Sequence, residues 1–204
     1  MTPRRYEQRQ RAEAADETRR RILDAVVQRL REAPSQAVSI DQVARIAGVA
    51  RSTVYLVFGS RAGLFDAAAR DLLDRSGFER VVRAVADPDA RETLRGGIRG
   101  GAHTYAADRD TFRALYSMAQ LDPDAVGGAI QRSEQNRARG MADLAQRLAE
   151  QDALGPGVTA EAAADLLWVL TSFDSFDLLL TGRGLSADAA ADVLIETAER
   201  ALCR

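Results

Sequence analysis

The segment "AGVARSTVYLVF", residues 47–58, decides how this chain is read. Gly48 is followed by a block of Arg51, Ser52, Thr53 and Tyr55, set among apolar residues and closed by Phe58. Just upstream, Ser39-Ile40-Asp41-Gln42 has capping-box spacing, in which the Ser39 oxygen accepts from the Gln42 backbone N–H and starts a helix. That helix carries Ile40, Val43, Ala44 and Ala47 inward. Gly48 suits a position of positive φ, where a helix ends and the chain turns sharply. A second short helix, about 51–57, and a longer one, 61–77, follow. Further upstream, Ile22, Leu23, Val26, Val27 and Leu30 form one apolar face over residues 17–32, which Pro34 ends.

Two short helices joined by a tight glycine turn make a helix-turn-helix. In such a unit the second helix enters the DNA major groove and its N-terminal residues meet the duplex. Val49 and Val54 then pack inward, leaving Arg51, Ser52, Thr53 and Tyr55 outward. Arginine reads guanine or grips phosphate. Hydroxyls commonly bond phosphate oxygens, and a helix N-terminus offers free N–H groups and a positive dipole end. On spacing alone, a helical hairpin with a solvated polar face fits the same residues as well.

Composition bounds the class. With 204 residues and 46% apolar content the chain can bury a real core. Its length suits one large domain, or a small one fused to a larger. The net charge of −2 argues against nucleic acid, but the charge is unevenly placed. Residues 1–60 hold 11 Arg against 7 acids, and the remainder 17 Arg against 23 acids. A basic N-terminal part on an acidic body points to an anionic partner for the first part only. Cys203 is the single cysteine, so no intramolecular disulfide forms, which fits a reducing compartment. The N-terminus has no apolar core of a secretory signal. The most apolar run, residues 166–180, is too short and too charged, at Asp174 and Asp177, to span a membrane. A cytoplasmic protein is the expectation.

Past residue 87 the pattern stays helical, with helices predicted at 89–107, 109–119, 124–152, 159–181 and 186–202. Asp87-Pro88, Asp122-Pro123, Gly155-Pro156-Gly157 and the pair Gly182 and Gly184 mark the breaks. Alternating β-type runs are absent, so the fold class is all-α. Residues 1–16, basic and without an apolar face, read as a flexible extension, 17–77 as the helix-turn-helix domain, and 78–204 as a second helical domain.

Residues 39–69, "SIDQVARIAGVARSTVYLVFGSRAGLFDAAA", resemble the DNA-binding domain of the tetracycline-repressor (TetR) family. The resemblance rests on Ala47-Gly48-Val49, Thr53-Val54-Tyr55, Phe58, Arg61 and Leu64-Phe65, with the helix 17–32 matching in place and pattern. It covers about residues 17–75. The resemblance implies Gln42, Arg51, Ser52, Thr53, Tyr55, Leu56 and Arg61 as DNA-contacting residues and a double-stranded operator as the partner. Three positions depart from the family: Ala50 replaces a frequent capping Ser, Val57 a frequent His, and Arg61 the usual Lys. Arg61 keeps the charge for a phosphate at the start of the next helix. Leu56 either touches a thymine methyl or packs.

The resemblance further implies that residues 78–204 bind a small-molecule effector and form a homodimer through helices 159–181 and 186–202. The first of these is apolar nearly all round at Leu166, Leu167, Trp168, Val169 and Leu170, which requires cover on both sides. The second has Ala187, Ala190, Ala191, Leu194, Ala198 and Ala201 at helical spacing, small enough for close approach of another helix. Gly96, Gly97, Gly100 and Gly101 weaken helix 89–107 and suggest a kinked or mobile element, with loose packing as the plain alternative. Candidate ligand-lining residues are His103, Tyr116, Trp168, Phe173, Phe176 and Asp177, with Tyr105 and Met118 as further apolar candidates. Asp174 and Asp177 need partners if buried, and an Arg across the dimer is favoured.

One His and one Cys far apart give no metal-ligand spacing, and no nucleophile elbow, Walker loop or dinucleotide fingerprint appears. No cofactor or metal is expected, and the chain does not read as an enzyme. The expected function is a one-component transcriptional regulator, a repressor released from a palindromic operator by its ligand. An activator is a variant of it. A helical protein-interaction module without DNA binding is the rival reading, and it leaves residues 47–58 unexplained.

Overall fold

The computed structural model describes residues 3–34 and 36–204. Among them there are eleven α-helices and two π-helical turns, and the only β-type pairing is an isolated bridge between Leu154 and Cys203. The chain divides into two compact units, Met1–Asp71 with Arg113–Ile130, and Leu72–Phe112 with Gln131–Arg204.

The first unit holds α1 (Pro3–Glu32), α2 (Ile40–Ala47), α3 (Arg51–Phe58) and most of α4 (Arg61–Arg75). It also holds most of α7 (Arg109–Leu121) and the π-helical turn Pro123–Gly127. Ile22, Val26 and Leu30 of α1 are buried, as the apolar face over 17–32 requires. Val43, Ala44 and Ala47 of α2, Val54 of α3, and Leu64 and Phe65 of α4 are buried too. The helix itself begins at Pro3 and not at 17. Periodicity misses its first turns because they have no apolar face, while their Arg, Gln, Glu and Ala residues are good helix formers. The last part of the family-like domain is thus joined by a segment, 113–130, that sequence reading placed in the second domain.

The second unit is built on α6 (Ala90–Ala107), α8 (Gly128–Glu150), α9 (Ala160–Leu170), α10 (Phe173–Asp177) and α11 (Ala187–Leu202). One core joins Leu94 and Ile98 of α6, Leu148 of α8, Leu167 of α9, Phe176 of α10, and Leu194 and Leu202 of α11. The expected helix 159–181 is broken. Ser172 has extended backbone and accepts from the Ser175 N–H, so it caps a new helix, which passes into a π-helical turn at Leu178–Gly182. The alanine stripe of α11 also differs from expectation. Ala190, Ala191 and Ala198 are fully buried in the chain's own core, beside α6, while Ala187 is half-buried and Ala201 exposed.

Sequence reading missed α5 (Glu79–Val85), whose Val81, Val82 and Val85 make no clean stripe. It explains the glycines of α6, which is continuous. A Cβ on Gly96 would lie 2.8 Å from the Ala84 Cβ, and one on Gly100 would lie 3.0 Å from the Val81 backbone nitrogen. These two glycines let α5 lie directly on α6, whereas a Cβ on Gly97 or Gly101 meets nothing within 4 Å. Arg147 of α8 holds the end of α5 by donating to the carbonyls of Val85 (3.1 Å) and Asp87. Another flank of α6 carries a ladder of contacts to α11: the ion pairs Arg95–Glu199 (2.6 Å) and Arg99–Asp192 (2.8 Å), and a hydrogen bond between His103 Nε2 and Asp188 (3.0 Å).

Candidate nucleic-acid interface

The local geometry of the first unit follows its sequence closely. Ser39 caps α2: its hydroxyl accepts from the Gln42 N–H (3.2 Å) while the Gln42 side-chain oxygen accepts from the Ser39 N–H (3.0 Å). Gln42, expected at DNA, thus has its amide oxygen committed to the capping box. Gly48 ends α2 at φ 64°, where a side chain would be strained. The Val49 N–H closes the turn onto the Ala44 carbonyl at 3.0 Å. Arg21 of α1 reaches the Gly48 carbonyl at 3.5 Å, and the Arg19 guanidinium lies 4.8 Å from the centre of the Phe58 ring.

This frame fixes α3 through one side chain. Val54 is buried, whereas Val49 is only half-buried. Arg51, Ser52, Tyr55 and Leu56 are exposed, and Thr53 is half-buried. Leu56 is 86% exposed, which removes the packing alternative for it. Ala50 gives α3 no side-chain cap, so the family's usual hydroxyl cap is missing here.

Two arginines of the expected contact set already have carboxylate partners. Arg51 Nη1 lies 3.2 and 3.3 Å from the two Asp41 oxygens, and its Nη2 lies 3.5 Å from the Tyr55 hydroxyl. The Tyr55 hydroxyl and the Asp41 charge raise the guanidinium pKa further. Arg61 donates to the Val38 carbonyl at 2.7 Å and pairs with Asp122 at 2.6 Å. Its charge is therefore turned to a carboxylate of its own chain, where sequence reading had reserved it for a phosphate. Asp41, Asp122, Arg19 and Phe58 were not in the expected set. Only the long-range fold brings the first two onto their arginines, and no local pattern signals it.

The expected ligand-lining residues are only partly brought together. Phe173 and Phe176 are buried and pack with Tyr105, which lies 5.3 Å from both Phe173 and Phe112, ring centre to ring centre. Asp177 is buried and paired with Arg109 of the same chain, not with an arginine across a dimer. Asp174 is exposed. His103 is in the α6–α11 ladder. Trp168 is 43% exposed, beneath the Arg137 guanidinium at 5.1 Å. Tyr116 falls in the first unit. Phe112 and Arg109 were missed: Phe173 and Asp177, which they meet, lie more than sixty residues further along the chain.

Comparison with known proteins agrees with this geometry. The family model "Bacterial regulatory proteins, tetR family" matches residues 22–68. No curated protein matches the sequence. A TetR-like transcriptional regulator from Rhodococcus sp. RHA1 is 26% identical, with 90% of this chain and 94% of that one covered and a TM-score of 0.64. NalD of Pseudomonas aeruginosa, the secondary repressor of the MexAB-OprM multidrug efflux pump, is 26% identical, with 94% and 98% covered and a TM-score of 0.72. The SmeT–triclosan complex, at 16% identity, 92% coverage of each chain and a TM-score of 0.71, shares the fold. No helix among the described residues is long and apolar enough to cross a membrane. Residues 22–68 are a DNA-binding domain of the tetR family, carried on a chain that has the fold of TetR-type transcriptional regulators over nine-tenths of its length.

Proposed function

We propose that the protein is a transcriptional repressor that binds a near-palindromic operator as a homodimer and leaves it when a small molecule binds its second unit. The carrying observation is the exposed row on α3, Arg51, Ser52, Tyr55 and Leu56, presented by a capped α2 and the Gly48 turn. Such a helix places hydroxyls on phosphates and an arginine and an apolar side chain on base edges. The repressor role is supported by the likeness to NalD, itself a repressor.

Dimerisation is supported by apolar side chains left uncovered on the expected elements: Trp168 and Val169 on α9, Leu178 after α10, and Val193 on α11. A partner subunit lying on these elements would cover the exposed apolar side chains. A ligand site in the second unit is supported by the aromatic cluster around Tyr105 with the buried Asp177 beside it. Small-molecule sites are mostly apolar with a few polar groups that fix orientation. SmeT, of the same fold, is solved with triclosan.

The test is the salt dependence of binding to a generic duplex. A DNA-binding protein loses affinity linearly in log salt, with a slope set by the phosphates it neutralises. A flat, weak response would favour the interaction-module reading. An effector must then weaken operator binding, and operator must weaken effector binding by the same factor, typically 5- to 150-fold. Since Trp168 lies outside the aromatic cluster, its fluorescence is a poor reporter of that site. Operator affinity itself is the better readout.

A further inference from the structure

Asp41 sits in the first turn of α2, and Arg51 is the first residue of α3. The two side chains meet across the turn at 3.2 and 3.3 Å, and both are about 60% exposed. Neither is needed to cap its helix, since Ser39 serves α2. An ion pair so exposed contributes little to the fold. A carboxylate on a surface meant for DNA is moreover a liability, because it repels phosphate. The pair therefore calls for an explanation at the interface.

We infer that Asp41 is a positioning residue for sequence readout: it holds Arg51 in the pose that reads a guanine, so that Arg51 specifies a base instead of gripping a phosphate. The inference rests on the DNA-binding reading above. As a phosphate ligand Arg51 would be a poor choice, because it would exchange one anionic partner for another and neutralise little new charge. As a guanine reader it needs a fixed direction and two parallel donors for O6 and N7. Arginine has five N–H donors. Asp41 engages Nη1 and Tyr55 engages Nη2, while Nε makes neither contact. Nε–H and a remaining Nη2 hydrogen form the parallel pair. Tyr55 adds a second restraint, its ring centre lying 5.7 Å from the guanidinium carbon. Restraint from two sides removes rotamer freedom before DNA arrives, which is how a flexible side chain becomes selective.

The experiment measures binding of the full-length protein to its selected site, and to that site's single-base variants, at several salt concentrations. Wild type is expected to discriminate about 5- to 150-fold at one G·C pair in each half-site, the range for a good bidentate contact. Arg51→Ala and Asp41→Ala should flatten preference at that same base pair and leave the other positions unchanged. Asp41→Asn, which keeps one acceptor oxygen, should retain intermediate discrimination. The salt slope of Arg51→Ala should equal that of wild type. Thermal midpoints should be unchanged, since the pair is exposed. The inference is overturned if Asp41→Ala binds every sequence more tightly with its base preference intact, because Asp41 would then only repel phosphate. It is also overturned if Arg51→Ala lowers the salt slope by about 1, which marks a phosphate contact. Failure of wild type to bind any duplex would instead refute the DNA-binding reading itself, and this inference with it.

Discussion

Arg61, the first residue of α4, is paired with Asp122, the residue just before the π-helical turn Pro123–Gly127, at 2.6 Å. The same guanidinium holds the Val38 carbonyl ahead of α2. One side chain of the first unit thus ties the entry to the helix-turn-helix to the end of α7. Asp122→Ala should leave Arg61 uncompensated while Val38 still orients it. The pair is partly exposed, so the stability cost should stay within about 1 kcal/mol. Nonspecific DNA affinity should rise, with a salt slope steeper by about 1. An unchanged slope would mean that Arg61 does not face the duplex.

On α3 the fold and the reading surface are separable. Val54→Ala removes buried methyl groups and should cost about 1–3 kcal/mol in denaturant unfolding. Leu56→Ala should change stability by less than about 0.5 kcal/mol, because Leu56 is almost fully exposed, and yet weaken operator binding. A variant of Leu56 with wild-type affinity for every sequence would take that residue out of the interface.

Two glycines of α6, three residues apart, should respond oppositely to alanine. Gly97→Ala adds a methyl group in open space inside a helix and should stabilise the protein by about 0.5–1 kcal/mol. Gly100→Ala forces the Val81 backbone of α5 away and should destabilise it by about 1–3 kcal/mol. Midpoints of thermal unfolding for the two variants decide this. Equal effects would contradict the close approach of α5.

For the proposed dimer, Val169 is the simplest probe, being half exposed on α9 and outside the buried core. Val169→Glu should convert dimers to monomers in sedimentation while leaving helicity and unfolding nearly unchanged. A variant that stays dimeric at the same concentrations would place the subunit contact elsewhere.

Much of this could be read from the sequence where cause and effect lie within a few residues. The Ser39–Gln42 box, the left-handed Gly48 and the buried Val54 are local consequences of spacing. The partners of Arg51, Arg61 and Asp177 are ten or more residues away, and periodicity carries no information about them. The break at Ser172 was hidden because helical spacing of the apolar residues resumes beyond it and outweighs one capping serine. The alanine stripe of α11 was correctly seen as a contact face, but small residues do not say whether the neighbour belongs to the same chain. In α6 the glycines signalled a close approach only once α5 was in view.

The most direct test of the central claim is selection of bound sequences from a random duplex pool by the full-length protein, followed by footprinting of the enriched site. The account predicts one near-palindromic site whose half-site centres lie about 34 Å, one helical turn, or a multiple of it apart. No enriched sequence, or a lone half-site saturated by a single protomer, would contradict it.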